Sequence, residues 1–143
     1  MLQQIITKLK YEVSDKLKIV LWYNIDMENT IHIYEEERPW GNFRQFTHNN
    51  PSTVKIITVK PNESLSLQSH ENRSEFWRVI RGDGIVEIGE IQTNTVVGDE
   101  HEIKRGEKHR LSAGPDGVQV LEISLGVFDE DDIVRYDDKY GRF

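Results

Sequence analysis

From Thr30 onward, apolar positions alternate with polar ones or gather in short β-branched runs, the period of strands rather than of helices. The runs are TIHIYE at 30–35, NFRQFTH at 42–48, TVKIITV at 53–59, SLSLQSH at 64–70, EFWRVIRG at 75–82, GIVEIGEI at 84–91, NTVVG at 94–98, HEIKRG at 101–106 and VQVLEISLGVF at 118–128. Pro39, Pro51, Pro61, Arg81-Gly82-Asp83-Gly84, Gly98, Gly106 and Gly114-Pro115-Asp116-Gly117 break them. Short strands spaced roughly 8 to 12 residues apart predict an antiparallel sandwich or barrel. The beginning of the chain reads differently: Ile5, Ile6, Leu9 and Val13 fall on one helical face, and KIVLWYNI at 18–25 is rich in β-branched and aromatic residues. Residues 1–30 are therefore expected to form an N-terminal extension, a helix then a strand, packed on the barrel or on a partner subunit, with the barrel at 31–143. The closing DEDDIVRYDDKYGRF is strongly charged and is expected outside the barrel, as a turn or short helix folded back over its mouth.

Composition narrows the functions open to such a barrel. A chain of 143 residues supports one core and one site. With 18 Lys+Arg against 25 Asp+Glu, the net charge of -7 argues against bulk electrostatic binding to nucleic acid or an anionic membrane, while leaving room for a local basic pocket. Cysteine is absent, so disulfides, thiolate zinc sites and a cysteine nucleophile are all excluded. No stretch approaches the ~20 apolar residues that span a bilayer, and the N-terminus has no signal-like apolar region, so the expectation is a soluble, cytoplasmic protein.

Candidate chemistry concentrates in residues 65–82, LSLQSHENRSEFWRVIRG. On a strand, Ser64, Ser66, Gln68 and His70 share one face, with Leu65 and Leu67 on the other. A solvated amphipathic strand would read the same way. What changes the reading is the company of His70: Glu75 follows a turn and Gly82 closes the returning strand, while His109 lies in a second stretch, 103–111. Gln68, His70, Glu75 and His109 are thus candidate metal ligands or proton-transfer groups, and their convergence would make a small-molecule site inside the barrel.

These residues carry a resemblance. Asn62-x5-Gln68-x-His70-x4-Glu75-x6-Gly82 and Gly98-x5-Lys104-x-Gly106-x2-His109-x3-Ala113 have the spacing of the two-part cupin signature, with Asn62, Gln68, Lys104 and Ala113 departing from its residue types. The chain further resembles the C-terminal isomerase domain of the bifunctional mannose-6-phosphate isomerase/mannose-1-phosphate guanylyltransferase family. The matching words, in order, are Glu37-Arg38-Pro39-Trp40-Gly41, Val54-Lys55, Ile57-Thr58-Val59-Lys60-Pro61, Leu65-Ser66-Leu67-Gln68, His70, Arg73-x-Glu75-x-Trp77, Gly106-x-Lys108-His109-Arg110-Leu111, Asp131-Asp132-Ile133-Val134-Arg135-Tyr136 and Tyr140-Gly141-Arg142. No Gly-rich nucleotidyltransferase segment is found. Where the family has H-H-H-R-A-E-H-W, this chain has His70-Glu71-Asn72-Arg73-Ser74-Glu75-Phe76-Trp77. Imidazoles are lost at 71, 72 and 76, positions that could serve proton transfer or substrate positioning.

The resemblance implies an all-β, single cupin-type (double-stranded β-helix) barrel. It implies a divalent ion (Zn, Mn, Fe, Co or Ni) on Gln68, His70, Glu75 and His109, a borderline nitrogen and oxygen set. The implied reaction is aldose-ketose interconversion of mannose 6-phosphate and fructose 6-phosphate in sugar-nucleotide synthesis, with Glu75, His109 or Lys108 as the base. Arg38, Arg135 and Arg142 are the implied phosphate contacts, guanidinium being suited to bidentate binding; Lys55, Arg73 and Lys108 are secondary candidates for phosphate or hydroxyl groups. Without the resemblance, Arg135 and Arg142 would simply pair with Asp131, Asp132, Asp137 and Asp138. Trp40 and Trp77 read as packing residues. The competing functional reading is a cupin that binds a phosphosugar or sugar nucleotide without turning it over. Fold analogy implies a homodimer.

Overall fold

The computed structural model describes residues 30–142, so the expected helix and strand of the N-terminal extension lie almost wholly outside the described residues. Within that range there are nine strands and no helix: β1 Tyr34–Arg38, β2 Gly41–Gln45, β3 Ser52–Val59, β4 Leu67–Ser69, β5 Arg73–Ile88, β6 Ile91–Val96, β7 Glu100–Ile103, β8 His109–Gly126 and β9 Val134–Asp137. β1 and β2 form a separate hairpin, and the other seven join in one antiparallel sheet.

Two long strands organise the barrel. β5 and β8 pair along their lengths, Arg73 opposite Gly126 at one end and Ile88 opposite His109 at the other. The sequence reading breaks both, at Arg81-Gly82-Asp83-Gly84 and at Gly114-Pro115-Asp116-Gly117. The structure instead carries each strand through its glycines, with register shifts between Val79 and Arg81 and between Gly82 and Gly84. Gly82 has φ +72, and a Cβ there would land on the carbonyl oxygen of Gly117. What looked like loop punctuation is the bulge that bends a continuous strand around the barrel.

Strand alternation sorts the side chains into two clusters. Inward from β3, β5, β7 and β8 come Val59, Trp77, Val79, Val86, Ile103, Leu111, Val118 and Val120, the barrel core. Outward come Phe76, Ile123 and Leu125, covered by Ile31, Ile33 and Phe46. A groove of about 280 Å³ runs beside this outer cluster, lined partly by Ile31, Phe76 and Leu125. Glu75, Ile103, Lys104 and Arg105 also line it. The charged C-terminal stretch, expected outside the barrel, contributes β9, which pairs with β4 through Gln68 opposite Arg135 and Ser69 opposite Val134. Its alternating Val134 and Tyr136 supply the strand, while Asp129 accepts from the backbone N–H of Asp131 and Asp132 from those of Glu71 and Asn72. No helix among the described residues is long and apolar enough to cross a membrane.

Candidate metal site

The interior is apolar at one end and polar at the other, because the inward positions change type along the same strands. On β5 the inward series runs Val79, Trp77, Glu75; on β8 it runs Val120, Glu122, Ser124; on β3 it runs Val59, Ile57, Lys55, opposite Val118, Val120 and Glu122. His109 enters from the start of β8, and Gln68 lies opposite it on β4. His70, Glu75, His109 and Glu122 are all buried.

His70, Glu75 and His109 converge, their ligating atoms all within 4.8 Å of one another. His70 Nδ1 donates to the carbonyl of Asp132 at 2.6 Å and His109 Nδ1 to the carbonyl of Glu107 at 2.9 Å. A carbonyl only accepts, so these bonds place a proton on each Nδ1 and turn each Nε2 toward Glu75. His70 Nε2 lies 3.2 Å from Glu75 Oε1, and His109 Nε2 lies 3.4 Å from Glu75 Oε2. Neither His109 Nε2 nor Glu75 Oε2 has a hydrogen-bond partner, although both are buried. With the imidazole neutral, two lone pairs face each other, which is costly unless a proton or cation lies between them. The donor set and its orphaned acceptors therefore fit a divalent ion.

Electrostatics agree with that reading. Burial pushes the His70 imidazole down, outweighing the Glu75 carboxylate beside it, and so favours the neutral, ligating form. Burial acts on Glu75 in the opposite sense, but positive charge beside it, on the His109 and His70 side and on the Arg73 guanidinium, prevails and holds it well below the ordinary carboxylate range; with both imidazoles neutral, a cation between them and the carboxylate would supply that charge. Gln68 Oε1 accepts from Ser66 Oγ at 2.9 Å and its Nε2 faces His70 Nε2 at 3.4 Å, so it presents oxygen to the cluster only with the amide reversed.

Glu122 is the residue that sequence reasoning missed. The Trp77 indole donates to its Oε2 at 3.1 Å and Ser124 Oγ to its Oε1 at 3.2 Å. Burial, then the nearby Glu75 charge, pushes its carboxyl up, opposite to the shift at Glu75. Inside VQVLEISL it was an inward position of an amphipathic run, and the buried charge there was the available signal.

The expected cations divide into two groups. Lys55 shares the inward face opposite Glu122, its ammonium bound to Glu130 at 2.8 Å and over the Phe128 ring. Arg135 is opposite Gln68 and its Nε is buried without a hydrogen-bond partner. Arg73 is buried against Glu75 and the Asp129–Asp132 segment. Arg38, by contrast, pairs with Glu36 on the β1–β2 hairpin, and Arg142 is engaged by Asp138. Lys108 is not gathered with the buried groups either; its ammonium sits 4.1 Å from the centre of the Tyr136 ring, whose hydroxyl meets Ser69.

Phe76 and Asn72, two of the departures noted in the sequence, are not among the buried polar groups of the cluster. Phe76 points outward into the Ile31 cluster, 5.4 Å from the Phe46 ring, so an imidazole lost there does not empty the interior. Asn72 is exposed, its backbone N–H donating to Asp132. Asn62 stands where the cupin pattern has glycine and adopts φ 58, a left-handed conformation asparagine tolerates better than most residues. Trp77 is core, edge-on to His109, while Trp40 is an exposed turn residue.

The sequence model of the family described as mannose-6-phosphate isomerase C-terminal matches residues 25–138. The chain is 35% identical over 139 residues to a mannose-1-phosphate guanylyltransferase of Salmonella typhimurium, covering 93% of this chain and 28% of that protein. It is 40% identical over 139 residues to the mannose-1-phosphate guanylyltransferase of Salmonella montevideo, covering 91% of this chain and again 28% of the relative. The chain thus spans little more than a quarter of these relatives. Among solved structures, a conserved protein of Klebsiella pneumoniae with a double-stranded β-helix domain superposes with a TM-score of 0.54 at 21% identity, covering 65% of this chain and 80% of that one, a likeness of fold.

Proposed function

The chain belongs to the mannose-6-phosphate isomerase C-terminal family, and from that premise we propose that its barrel interconverts mannose 6-phosphate and fructose 6-phosphate in the supply of sugar-nucleotide synthesis. The observation that carries this reading is the buried His70, Glu75 and His109 cluster with its two orphaned acceptors, at the same end of the barrel as Glu122, Lys55 and Arg135.

In this reading His70, Glu75 and His109 hold the ion, with Gln68 offering its amide oxygen. A divalent ion of the Zn, Mn, Co or Ni type supplies electrophilic polarisation of the substrate carbonyl. The residues do the rest. Aldose-ketose isomerisation moves one proton between adjacent carbons, which calls for a group that can both take and return it. Glu122 suits that task better than the bases expected from sequence: Glu75 is committed to two imidazoles and Arg73, His109 is a ligand, and Lys108 is held over Tyr136. The opposed shifts of Glu75 and Glu122 divide the two carboxyls into a fixed anion and a proton carrier. Arg135 binds the phosphate, joined by Lys55 once it exchanges the exposed Glu130 carboxylate for the phosphate, and the Trp77 core closes the apolar end against water.

A coupled assay for fructose 6-phosphate, run on the purified chain with each divalent ion in turn, tests the reading. Failure with every ion sinks it, and calorimetric binding of mannose 6-phosphate without turnover would favour a binding protein instead. Exposed Val54 and Ile56 on the outer face of β3 support the homodimer; a monomer by light scattering would contradict it. A phosphorylated intracellular sugar as substrate supports the cytoplasmic placement.

A further inference from the structure

Arg73 is the buried residue whose contacts the isomerase reading leaves unexplained. Its Nε donates to Glu75 Oε1 at 3.0 Å, and its Nη2 lies 3.1 Å from His70 Nε2. Its Nη1 donates to the carbonyls of Asp129 and Asp132 at 3.0 and 3.2 Å, and the guanidinium carbon lies 4.7 Å from the centre of the Phe128 ring. Every arm of the guanidinium is used. The atoms it satisfies, Glu75 Oε1 and His70 Nε2, are one half of the ion-binding set, and the orphaned Glu75 Oε2 and His109 Nε2 are the other.

A neutral imidazole has one in-plane lone pair on the nitrogen that carries no proton. With His70 Nδ1 donating to Asp132, Nε2 can accept from Arg73 or ligate an ion, but not both. We propose that Arg73 is a tethered cation that occupies half of the site in the ion-free protein and must surrender His70 to the divalent ion. This rests on the reading of the cluster as an ion site. Two consequences follow. Arg73 keeps Glu75 and His70 ordered when no ion is bound, and it lowers ion affinity, because binding requires the loss of a charge-assisted hydrogen bond and brings two positive charges close together. Since its Nη1 is anchored on Asp129 and Asp132, ion occupancy is also coupled to the segment leading into β9.

The test uses the full chain, stripped with chelator, and titrates Zn2+ and Co2+ by calorimetry and by the visible spectrum of bound Co2+. Arg73→Met should bind either ion about tenfold more tightly than the parent protein, with Arg73→Lys between the two. Equal or weaker affinity in Arg73→Met overturns the proposal. Since that substitution could unfold the protein, nitrogen-edited NMR of the unaltered chain provides a second arm. The Arg73 guanidinium protons should be protected from exchange without ion and lose protection at the Nη2 arm on saturation with Zn2+; no change there also overturns it. Absence of binding to both proteins sinks the ion reading together with this inference, whereas binding of equal strength sinks only the inference.

Discussion

Glu75→Gln isolates the charge on which the polar end of the barrel depends. The side chain is 2% exposed and its Oε1 faces both Arg73 Nε at 3.0 Å and His70 Nε2 at 3.2 Å. Glutamine keeps the shape and an accepting oxygen but leaves the Arg73 guanidinium, itself 6% exposed, with Asp132 Oδ2 at 3.6 Å as its nearest carboxylate. Removing one partner of a buried pair costs ~3–5 kcal/mol, and the retained oxygen argues for the lower end, about 3 kcal/mol. For a domain of this size that is a fall in Tm of roughly 10 °C. Thermal and urea unfolding in chelator, at neutral and acid pH, read it directly. The folded Glu75 carboxyl titrates below its unfolded value of about 4.5, so its contribution is complete above that pH and fades as pH falls through the folded value. The gap between parent and variant should therefore close in acid. A Tm within 2 or 3 °C of the parent at neutral pH (roughly the shift of 1 kcal/mol), or a gap indifferent to pH, would refute the reasoning.

Further consequences concern other residues. Glu122→Gln should abolish most turnover, by about 100-fold or more, with little change in mannose 6-phosphate affinity by calorimetry. The folded Glu122 carboxyl titrates above its unfolded value, so the stability it contributes is present at low pH and lost as pH rises through the folded value; paired melts should show the variant gaining on the parent at pH 8 relative to pH 4. Arg135→Met should raise KM for the phosphosugar about tenfold in initial-rate assays, whereas Arg38→Met and Arg142→Met, engaged with Glu36 and Asp138, should leave it within about twofold. Gly82→Ala should cost about 3 kcal/mol or more in urea unfolding, since a left-handed conformation and a close backbone approach coincide there.

The local pattern of the chain was enough for the fold class and for the pairing of His70 with Glu75. Alternation, β-branched runs and turn residues act between neighbours in sequence, and a strand-turn-strand brings His70 and Glu75 together without any distant contact. The family spacing also named His109, which the structure brings within 4.8 Å of the His70 and Glu75 ligating atoms. Other features depended on contacts between residues far apart. Whether Gly82 ends a strand or bends one is decided by the approach of Gly117 from β8. Whether the acidic tail is a lid or a strand is decided by β4, whose edge accepts Arg135 and Val134. Arg38, Arg135 and Arg142 look alike in the chain, yet Arg135 stands opposite Gln68 on β4, while Arg38 and Arg142 are paired with Glu36 and Asp138 close by. Glu122 and Arg73 show the same limit most sharply. Their chemistry comes from burial and, for Glu122, from the Glu75 charge on another strand, and for Arg73 from the Asp129–Asp132 segment far along the chain, and a sequence does not carry a dielectric environment until the barrel has closed around it.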